Sequence, residues 1–425
     1  MNALRRCPWP TLLAAIGLAA GAGAAPSPQD PAVGAINALG RDLLPHAAKP
    51  DDNALISPYS IQSALAMAYA GAAGATRDEM ARALHYPEDD AVLHAAFSAL
   101  RADLEQIVRD SEERVRRARE RGRRSEPIVL SVAHRLFGQQ DFEFREPFLA
   151  LLRDRYRAPL QGCDFRRNAA RETEVINEWV AGQTRRRIEN LIPPDALNET
   201  ARLVLVNAIY LKAPWQNPFR AENTQPRPFR VRGDTAADVP TLFQLTEIGC
   251  LPADGYTALS LPYAGRQLHL LILLPDAPDG WKDLERGLTP ALLAAGADLP
   301  RREVRLYLPK FRLQPPLMPL GKALIALGMK SAFNQPVGSA DFSRMAPRRP
   351  DDDLYLSEVF HRTFLNLDEY GTEAAAATAV VMLAESVAVE KPPPIEVRVD
   401  RPFLFAIQHR ASGACLFLGR VTDPR

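Results

Sequence analysis

The chain has 425 residues, of which 47% are hydrophobic and 24% are charged. This composition is typical of a globular protein with enough apolar side chains for a large core. Lysine and arginine number 52, and aspartate and glutamate number 51, which gives a formal net charge of +1. So small a charge excludes a general attraction to nucleic acid or acidic membranes, and any charge-dependent partner must be bound locally. We expect no nucleic-acid partner.

The amino terminus has the pattern of a secretory signal peptide. Arg5 and Arg6 precede the apolar run 11–20, and small residues follow it. We expect cleavage after Ala24 or Ala25 and a secreted or periplasmic mature protein. The run is shorter than the ~20 residues that span a bilayer, and no later segment resembles a membrane helix. We therefore expect no membrane span once the signal is removed, and an uncleaved anchor is the alternative.

Removal of the signal leaves three cysteines, Cys163, Cys250 and Cys415. Their number is odd and too small to hold a scaffold together by disulfides. We expect them to be buried free thiols, so that core packing stabilises the fold.

Three helix starts are predicted in the first part of the mature chain. Apolar residues recur at helical spacing over 32–44. Ser57 followed by Pro58 is typical of the N-cap and first turn of a second helix, which should be buried. A third start is predicted at Thr76, where Glu79 completes a capping box.

Strands and one long helix follow. Runs rich in valine, leucine and isoleucine predict strands at 128–137, 203–211, 268–274 and 304–308, and the second run is apolar enough to be central in a sheet. Apolar residues at helical spacing predict an amphipathic helix over 173–192. The pattern indicates a mixed α and β fold, with no repeat and no flexible linker to divide it.

A basic segment runs from Arg114 to Arg124, with seven arginines and the single acidic residue Glu120. Two interpretations stay open. It is either a solvated helix end or a patch that binds a polyanion, because clustered arginines bind sulfate and phosphate groups through paired hydrogen bonds.

Conflicting signals mark the segment after Asp368. Residues 373–379 favour a helix, 378–381 favour a strand, and the prolines after Lys391 end either element. Such a segment suits a loop that becomes a strand in a second state. Its alanines are small enough to enter between existing strands, and Gly371 allows the backbone to swing as a hinge.

Alternation along that second-state strand assigns its faces. We expect the side chains of one parity to face the core and those of the other to face outward, so that the charge of Glu373 stays in solvent. The inward set is Thr372, Ala374, Ala376 and Thr378, and the outward set is Glu373 and Ala375.

Besides the alanine-rich segment, short motifs occur in order along residues 32–420, and they include Ser57-Pro58-Tyr59-Ser60-Ile61, Leu205-Val206-Asn207-Ala208-Ile209-Tyr210, Leu308-Pro309-Lys310-Phe311 and Arg401-Pro402-Phe403-Leu404-Phe405. Together these motifs resemble those of the serpins, a family of peptidase inhibitors. The resemblance implies an α+β serpin fold, with a large central mixed β-sheet, two further sheets, about eight or nine helices and an exposed reactive-centre loop at about 369–395. Residues 26–425 would form one such domain. His134 departs from the family, which usually has asparagine there.

The resemblance also implies roles for three groups of residues. The shutter, where the central sheet must part, consists of Ser57, Ser60, Asn207 and His361. The breach, at the top of that opening, holds Trp215 and an ion pair of Lys310 with Glu369, which we expect to contribute ~0–1 kcal/mol if it is exposed. The hinge of the loop consists of Glu369, Gly371, Thr372, Glu373, Ala374, Ala375, Ala376, Ala377 and Thr378.

A serpin is not an enzyme, and the resemblance implies neither a cofactor nor a metal. A target serine endopeptidase, or a cysteine endopeptidase, would attack the loop, form a covalent acyl-enzyme and be carried across the monomeric inhibitor as the hinge inserts. Counting from the hinge places the reactive bond at Glu385-Ser386. Alternatives are cleavage at Met382, Leu383, Ala384 or Lys391.

Two other functions compete with inhibition. A serpin fold can act as a non-inhibitory binding or chaperone protein, although the unbroken small residues 374–377 favour insertion. A hydrolase could use Ser57 or Ser60 with His361. The chain contains no Gly-x-Ser-x-Gly elbow and no His-Glu-x-x-His site, which argues against the hydrolase.

Overall fold

The computed structural model describes residues 30–232, 235–349, 352–373 and 393–425. The signal peptide predicted for residues 1–25 lies outside these ranges. So do the later hinge residues and the candidates for the reactive bond, which are Ala374, Ala375, Ala376, Ala377, Thr378, Met382, Leu383, Ala384, Glu385, Ser386 and Lys391.

Nine α-helices occur in the described ranges. They are α1 Asp30–Leu43, α2 Pro58–Gly71, α3 Gly74–Ala83, α4 Asp90–Glu120, α5 Glu146–Leu151, α6 Phe165–Gln183, α7 Trp281–Arg286, α8 Pro290–Ala295 and α9 Gly321–Ala326. None of them is long and apolar enough to cross a bilayer.

Seventeen strands accompany them in the same ranges. They are β1 Ala54–Ile56, β2 Val129–Gln139, β3 Gln161–Cys163, β4 Leu203–Pro214, β5 Gln225–Arg232, β6 Thr235–Ala253, β7 Tyr256–Pro262, β8 Leu268–Pro275, β9 Arg301–Pro309, β10 Phe311–Leu313, β11 Met318–Pro319, β12 Leu356–Thr363, β13 Leu365–Leu367, β14 Gly371–Thr372, β15 Ile395–Arg398, β16 Phe403–His409 and β17 Cys415–Val421.

The central sheet has eight strands and is built around β4. One edge of β4 pairs with β2 in the antiparallel sense. The other edge pairs with β12 in the parallel sense over Leu203–Ile209, and with β14 in the antiparallel sense at Ala213 and Pro214. Beyond β14 lie β13 and β10. The predicted strand 203–211 is therefore central, as its buried apolar side chains require.

The second sheet has nine strands in the order β1-β17-β16-β8-β7-β6-β9-β15, with β5 paired to β6. The two further sheets expected from the resemblance are joined here by β6, whose 19 residues run without a break. The first part of β6 pairs with β5, its middle with β9 and its last residues with β7. The predicted mixed α and β class, with a large mixed sheet and nine helices in the described ranges, is confirmed.

The helix start predicted at Ser57 is confirmed, and the one predicted at Thr76 is wrong. The Ser57 hydroxyl oxygen accepts a hydrogen bond from the backbone N–H of Ser60 at 3.2 Å. Thr76 and Glu79 cap no helix, since α3 begins two residues earlier. The Thr76 hydroxyl accepts from the N–H of Asp341, and the Glu79 carboxylate accepts from Ser331. Both side chains therefore form tertiary hydrogen bonds instead of capping the helix.

The helix predicted over 173–192 begins earlier and stops at Gln183. Ile188 and Leu191, which supported the longer helix, are buried in the irregular chain beyond it. Thr184 explains the stop, because its hydroxyl donates to the Val180 carbonyl at 2.9 Å and accepts from the N–H of Ile188 at 3.2 Å. Apolar spacing therefore predicted the burial of Ile188 and Leu191 correctly but not the backbone conformation of residues 184–192.

Both faces of the central sheet are covered. On one face, Ile176 and Val180 of α6 pack with Val204, Val206 and Phe360 of the strands. On the other, helices α1, α2 and α4 join a larger buried cluster that extends to the second sheet. A strand added between β4 and β12 would therefore pass between α6 and the larger buried cluster.

The cysteines Cys163, Cys250 and Cys415 are free and buried, as predicted. Burial raises the pKa of the Cys415 thiol to about 12. The thiol is therefore protonated at neutral pH and unreactive.

Candidate functional site

The shutter residues lie where β4 and β12 pair directly, which we call the closed end of their junction. His361 of β12 faces Asn207 of β4 in register. Its Nδ1 lies 2.6 Å from the Asn207 side-chain oxygen, and the backbone N–H of Ser57 donates to its Nε2 at 3.1 Å. Because Nε2 accepts a hydrogen bond, the ring proton sits on Nδ1 and is donated to Asn207.

The hydrogen bonds link three of the four predicted shutter residues. The Ser57 hydroxyl donates to the Leu416 carbonyl at 2.6 Å, which ties α2 to the second sheet. The Ser60 hydroxyl is buried next to this group but has no partner among the described residues, and the same holds for the side-chain nitrogen of Asn207. Ser57, Asn207 and His361 therefore form one chain of hydrogen bonds, and Ser60 joins it only through its backbone.

The shutter does not have the geometry of a hydrolase. Burial lowers the pKa of His361 to about 3, so the ring is neutral at physiological pH. Its Nε2 bonds the backbone N–H of Ser57, while the Ser57 hydroxyl bonds a carbonyl. A nucleophilic serine must give its proton to a base, and this serine is not hydrogen-bonded to the histidine through its hydroxyl.

At its other end the junction is occupied by the hinge, and we call this part the entry end. Strand β14, which is Gly371 and Thr372, lies between β13 and β4 and is antiparallel to both. Thr372 is fully buried, and its hydroxyl lies 2.6 Å from the Tyr263 hydroxyl. Gly371 has φ +149°, and a Cβ there would lie 2.1 Å from the Ala213 carbonyl oxygen, so only glycine fits.

Trp215 of the breach holds the chain that leads into β14. Its ring stacks on Tyr263 with centroids 4.6 Å apart and planes 7° from parallel. The indole N–H donates to the Asp368 carbonyl at 3.0 Å, and its backbone N–H donates to the Tyr370 carbonyl at 2.9 Å. The indole ring and the backbone of Trp215 therefore both hold residues 368–370, which lead into β14.

The predicted ion pair of Lys310 with Glu369 is present but is not an exposed one. The shortest nitrogen-oxygen distance is 2.9 Å, and the Glu369 side chain is only 8% exposed. Its carboxylate also accepts from the Thr224 hydroxyl at 2.8 Å. Burial alone would raise the pKa of Glu369, but these hydrogen bonds outweigh it and the pKa is lowered. The Lys310 side chain is 35% exposed, so solvent still screens the pair, and we expect its contribution to lie near the upper end of the ~0–1 kcal/mol range.

Glu373 lies one residue beyond β14, and its side chain is largely enclosed at the entry end. Its side chain is 11% exposed, and Oε1 lies 2.5 Å from Nε of Arg187. Its φ of +50° turns the chain out of the strand, and its N–H donates to the Asn366 carbonyl at 2.8 Å. Burial raises the pKa of Glu373, and the positive charge of Arg187 opposes that rise. Because Glu373 is not part of β14, this contact leaves the alternation expected for an inserted strand as a prediction.

Two residues of this site were missed by sequence reasoning, Arg187 and Tyr263. Arg187 sits in a basic loop that follows α6 and has no motif of its own. Tyr263 is the last residue of Leu261-Pro262-Tyr263, a further segment that resembles a motif of the family and from which sequence reasoning drew no role.

The arginine-rich segment forms the last two turns of α4 and the turn after it. Six of the seven arginines are exposed, all except Arg114. Arg116 and Arg117 approach Glu113 on the same helix, and Arg114 donates to the Ala264 carbonyl at 3.3 Å. This placement agrees with a solvated helix end, and polyanion binding stays a prediction.

Comparison with known proteins matches the whole of this architecture. The family model for serpins, described as serine protease inhibitors, covers residues 34–424. The leukocyte elastase inhibitor of Bos taurus is 35% identical over 384 residues, which are 88% of this chain and 94% of that protein. An uncharacterised serpin-like protein of Thermococcus kodakarensis is 35% identical over 400 residues, 93% of this chain and 87% of that one.

Solved structures give the same result. Uncleaved ovalbumin superposes with a TM-score of 0.77 at 27% identity and covers 94% of this chain and 100% of its own. A serpin of the insect Tenebrio molitor, described as highly specific, has a TM-score of 0.75 at 27% identity and covers 95% of this chain and all of its own.

Proposed function

Since the chain belongs to the serpin family, we propose that it inhibits a serine endopeptidase, and in some cases a cysteine endopeptidase, as a suicide substrate. The peptidase cuts the reactive-centre loop at Glu385-Ser386 and stays covalently attached as an acyl-enzyme. The cut loop then continues from β14 down the junction between β4 and β12 and carries the peptidase with it.

One observation carries this proposal, which is the position of β14 in the central sheet. The two strands beside the junction are parallel neighbours at the closed end. The hinge strand has entered between β4 and β13 at the entry end, antiparallel to both. A longer insertion replaces one parallel ladder with two antiparallel ones, and antiparallel pairing is the more stable per residue. About ten new hydrogen bonds at ~0.5–1.5 kcal/mol each give a driving free energy of order 5–15 kcal/mol.

The three groups of residues have distinct tasks in this proposal. The breach holds the first turn of the hinge at the entry end. The shutter keeps β4 and β12 together until insertion reaches it. The native state is then held kinetically, and cutting the loop releases its stored free energy rapidly.

The residue before the cut bond sets the choice of peptidase. Glu385 suits an enzyme that prefers acidic residues, whereas cleavage after Met382, Leu383 or Ala384 suits elastase-like or subtilisin-like enzymes. The similarity to leukocyte elastase inhibitors supports the second group. We further propose that the protein is exported by its signal peptide and acts as a monomer in the periplasm or outside the cell.

The test mixes mature protein, residues 26–425, with an acid-specific peptidase, elastase, subtilisin, trypsin and papain. We expect a complex that resists denaturant with at least one of them, and mass spectrometry of the released peptide identifies the cut bond. Cleavage by every peptidase without a complex, and without a gain in heat stability of the cleaved protein, contradicts the proposal and favours a non-inhibitory binding or chaperone function.

A further inference from the structure

Beyond the shutter, the junction between β4 and β12 ends where both strands begin, and we call this region the foot. Leu203 is the first residue of β4 and lies opposite Leu356, the first residue of β12. The backbone N–H of Arg202 donates across the junction to the Ser357 hydroxyl at 3.1 Å. Side-chain contacts therefore join the two strands at the foot in addition to the ladder of backbone hydrogen bonds.

The carboxylate of Asp352, which precedes β12, binds two arginines on the other side of the junction. Its Oδ1 lies 2.6 Å from Nε of Arg202, which directly precedes β4. Its Oδ2 accepts a hydrogen bond from Nη2 of Arg166, in the first turn of α6. We call Asp352, Arg202 and Arg166 the clasp, because together they tie the start of β12 to the starts of β4 and α6.

The loop that carries Asp352 makes one more contact of this kind and one of a different kind. Arg349 approaches Asp141, just beyond β2, at a nitrogen-oxygen distance of 3.6 Å. The carboxylate of Asp353, in contrast, pairs with Arg348 of its own loop at 2.6 Å. Two neighbouring carboxylates therefore differ in one respect, since that of Asp352 pairs across the junction and that of Asp353 does not.

The clasp is better shielded from water than an ordinary surface ion pair. The Arg202 side chain is 15% exposed and the Asp352 side chain is 24% exposed. Screening makes a fully exposed pair weak, whereas a carboxylate that accepts charge-assisted hydrogen bonds from two guanidinium groups in a partly enclosed place is held more firmly. A strand inserted at the foot would separate β4 from β12 by about 4.8 Å and break both bonds of Asp352.

The register of β14 shows when an inserting strand reaches the foot. Thr372 lies opposite Ala213 of β4. Because this pairing is antiparallel, each residue further along the loop would lie opposite a residue one position earlier on β4. Ten positions further along, Met382 would lie opposite Leu203. Met382 is the earliest candidate for the residue before the cut bond, so the foot opens only in the last step of insertion.

We propose that the clasp limits the rate of this last step, and the inference rests on the inhibitory mechanism proposed above. While Asp352 is bound to Arg202 and Arg166, β4 and β12 stay together at the foot, and an inserting strand stops short of it. Opening of the clasp then lets the strand complete the sheet. The clasp thus acts at the opposite end of the junction from the breach and controls how fast the attached peptidase is carried to the foot.

Hydrogen-exchange mass spectrometry on the mature protein tests the clasp without any peptidase. Asp352→Asn keeps the size of the side chain and removes its charge. We expect the Arg202 amide, which is bonded across the junction, to exchange about fivefold faster in this variant. Asp353→Asn is the matched control and should exchange at the original rate. Equal exchange of the Arg202 amide in the two variants would overturn the proposal and leave the proposed function standing.

A second measurement follows insertion itself. A synthetic peptide of residues 373–382 is mixed with each protein, and its incorporation is timed by native mass spectrometry. We expect incorporation to be about fivefold faster in Asp352→Asn and in Arg202→Gln than in the unaltered protein. The double variant should be no faster than Asp352→Asn, because both changes break the same bond.

The outcomes of the peptide experiment separate the two proposals. If the peptide enters the unaltered protein and Asp352→Asn at the same rate, the foot does not limit insertion and the role of the clasp is wrong, while the inhibitory mechanism is unaffected. If the peptide enters none of these proteins, the junction does not accept a strand, which contradicts the proposed function together with the clasp. Thermal unfolding of each variant shows that it is folded before either measurement.

Discussion

The two ends of the junction beside β4 hold the sheet together in different ways. At the closed end, β4 and β12 pair directly, and the contacts across them are uncharged hydrogen bonds centred on His361. At the entry end, β14 separates the strands, and two buried carboxylates, those of Glu369 and Glu373, are matched by Lys310 and Arg187. In the proposed mechanism the closed end must stay shut until late, and it is held by neutral groups. The entry end, which β14 already occupies, is held by charged groups.

This difference suggests that the two ends respond to different changes. Charge substitutions should act on the entry end, and proton uptake should act on the closed end. The predictions below use that contrast, from the largest expected effect to the smallest.

Thr372→Arg should abolish inhibition. Thr372 is fully buried against Tyr263, and an arginine there would have to lose its hydration without a partner, which costs several kcal/mol. We expect the rate of complex formation to fall about 100-fold or more, since each ~1.4 kcal/mol is a factor of ten. Stopped-flow kinetics with the target peptidase measures it. Thr200→Arg, at an exposed position, is the control. Unchanged inhibition by Thr372→Arg would show that inhibition does not require a buried residue at this position of the sheet.

Acid should weaken the closed end through His361. Its folded pKa of about 3 lies below the ordinary value of 6.5, so the unfolded chain binds the proton more readily. The contribution of the neutral ring to the free energy of unfolding is complete above pH 6.5 and decreases as the pH falls from 6.5 towards 3. At pH 5 the decrease is about 2 kcal/mol.

The measurement is unfolding by denaturant at pH 8 and pH 5. Between these pH values the free energy of unfolding of His361→Gln should fall by about 2 kcal/mol less than that of the unaltered protein. The free energy of unfolding of His46→Gln, at an exposed position, should fall by the same amount as that of the unaltered protein. Equal pH sensitivity in all three proteins would show that the shutter histidine is not a determinant of acid stability.

Glu369→Gln should loosen the entry end. The amide keeps the size of the side chain but loses the charge that binds Lys310 and part of the bond from Thr224. We expect the free energy of unfolding to fall by about 1 kcal/mol. We also expect spontaneous conversion to an inactive, loop-inserted form to become roughly fivefold faster. Loss of inhibitory activity during incubation at a fixed elevated temperature reports it. Glu174→Gln, exposed on α6, should convert at the original rate, and a similar rate for Glu369→Gln would contradict the role of the pair.

Arg187→Gln should have the smallest effect, because the Arg187 side chain is 52% exposed and the ion pair is partly screened. We expect exchange of the Glu373 amide hydrogen, which is bonded to the Asn366 carbonyl, to become about two- to fivefold faster, with little change in global stability. Hydrogen-exchange mass spectrometry measures it. Arg186→Gln, next to it in the same loop, is the matched control. If the Glu373 amide is equally protected from exchange in both variants, Arg187 does not stabilise the entry end.

The parts of the fold that sequence predicted well are those governed by local chemistry. The N-cap at Ser57 and the central strand 203–211 follow from residue type and apolar run alone. The capping box at Thr76 failed because its two side chains found partners more than 250 residues away. Local rules cannot show such competition.

The site divides in the same way. The shutter and breach residues came from motifs, and the structure brings them together as the resemblance implied, apart from the Ser60 hydroxyl. The contact of Arg187 with Glu373 could not be predicted, because it depends on where α6 ends and how the loop beyond it crosses the sheet. That end was itself misplaced, since Ile188 and Leu191 gave a helical pattern to a segment that is not helical.

Helix α6 also sets a geometric condition on any widening of the sheet. A strand added between β4 and β12 moves them apart by about 4.8 Å, the spacing of neighbouring strands. Ile176 and Val180 pack across both of these strands, and Trp179 contacts Phe137 on β2 with ring centroids 5.6 Å apart. A rigid helix cannot keep contacts with both sides of a gap that widens by this distance. Helix α6 must therefore move with β2 and β4 and lose its contact with Phe360 of β12. An inserting strand then passes beneath a helix that is attached to only one side of the gap.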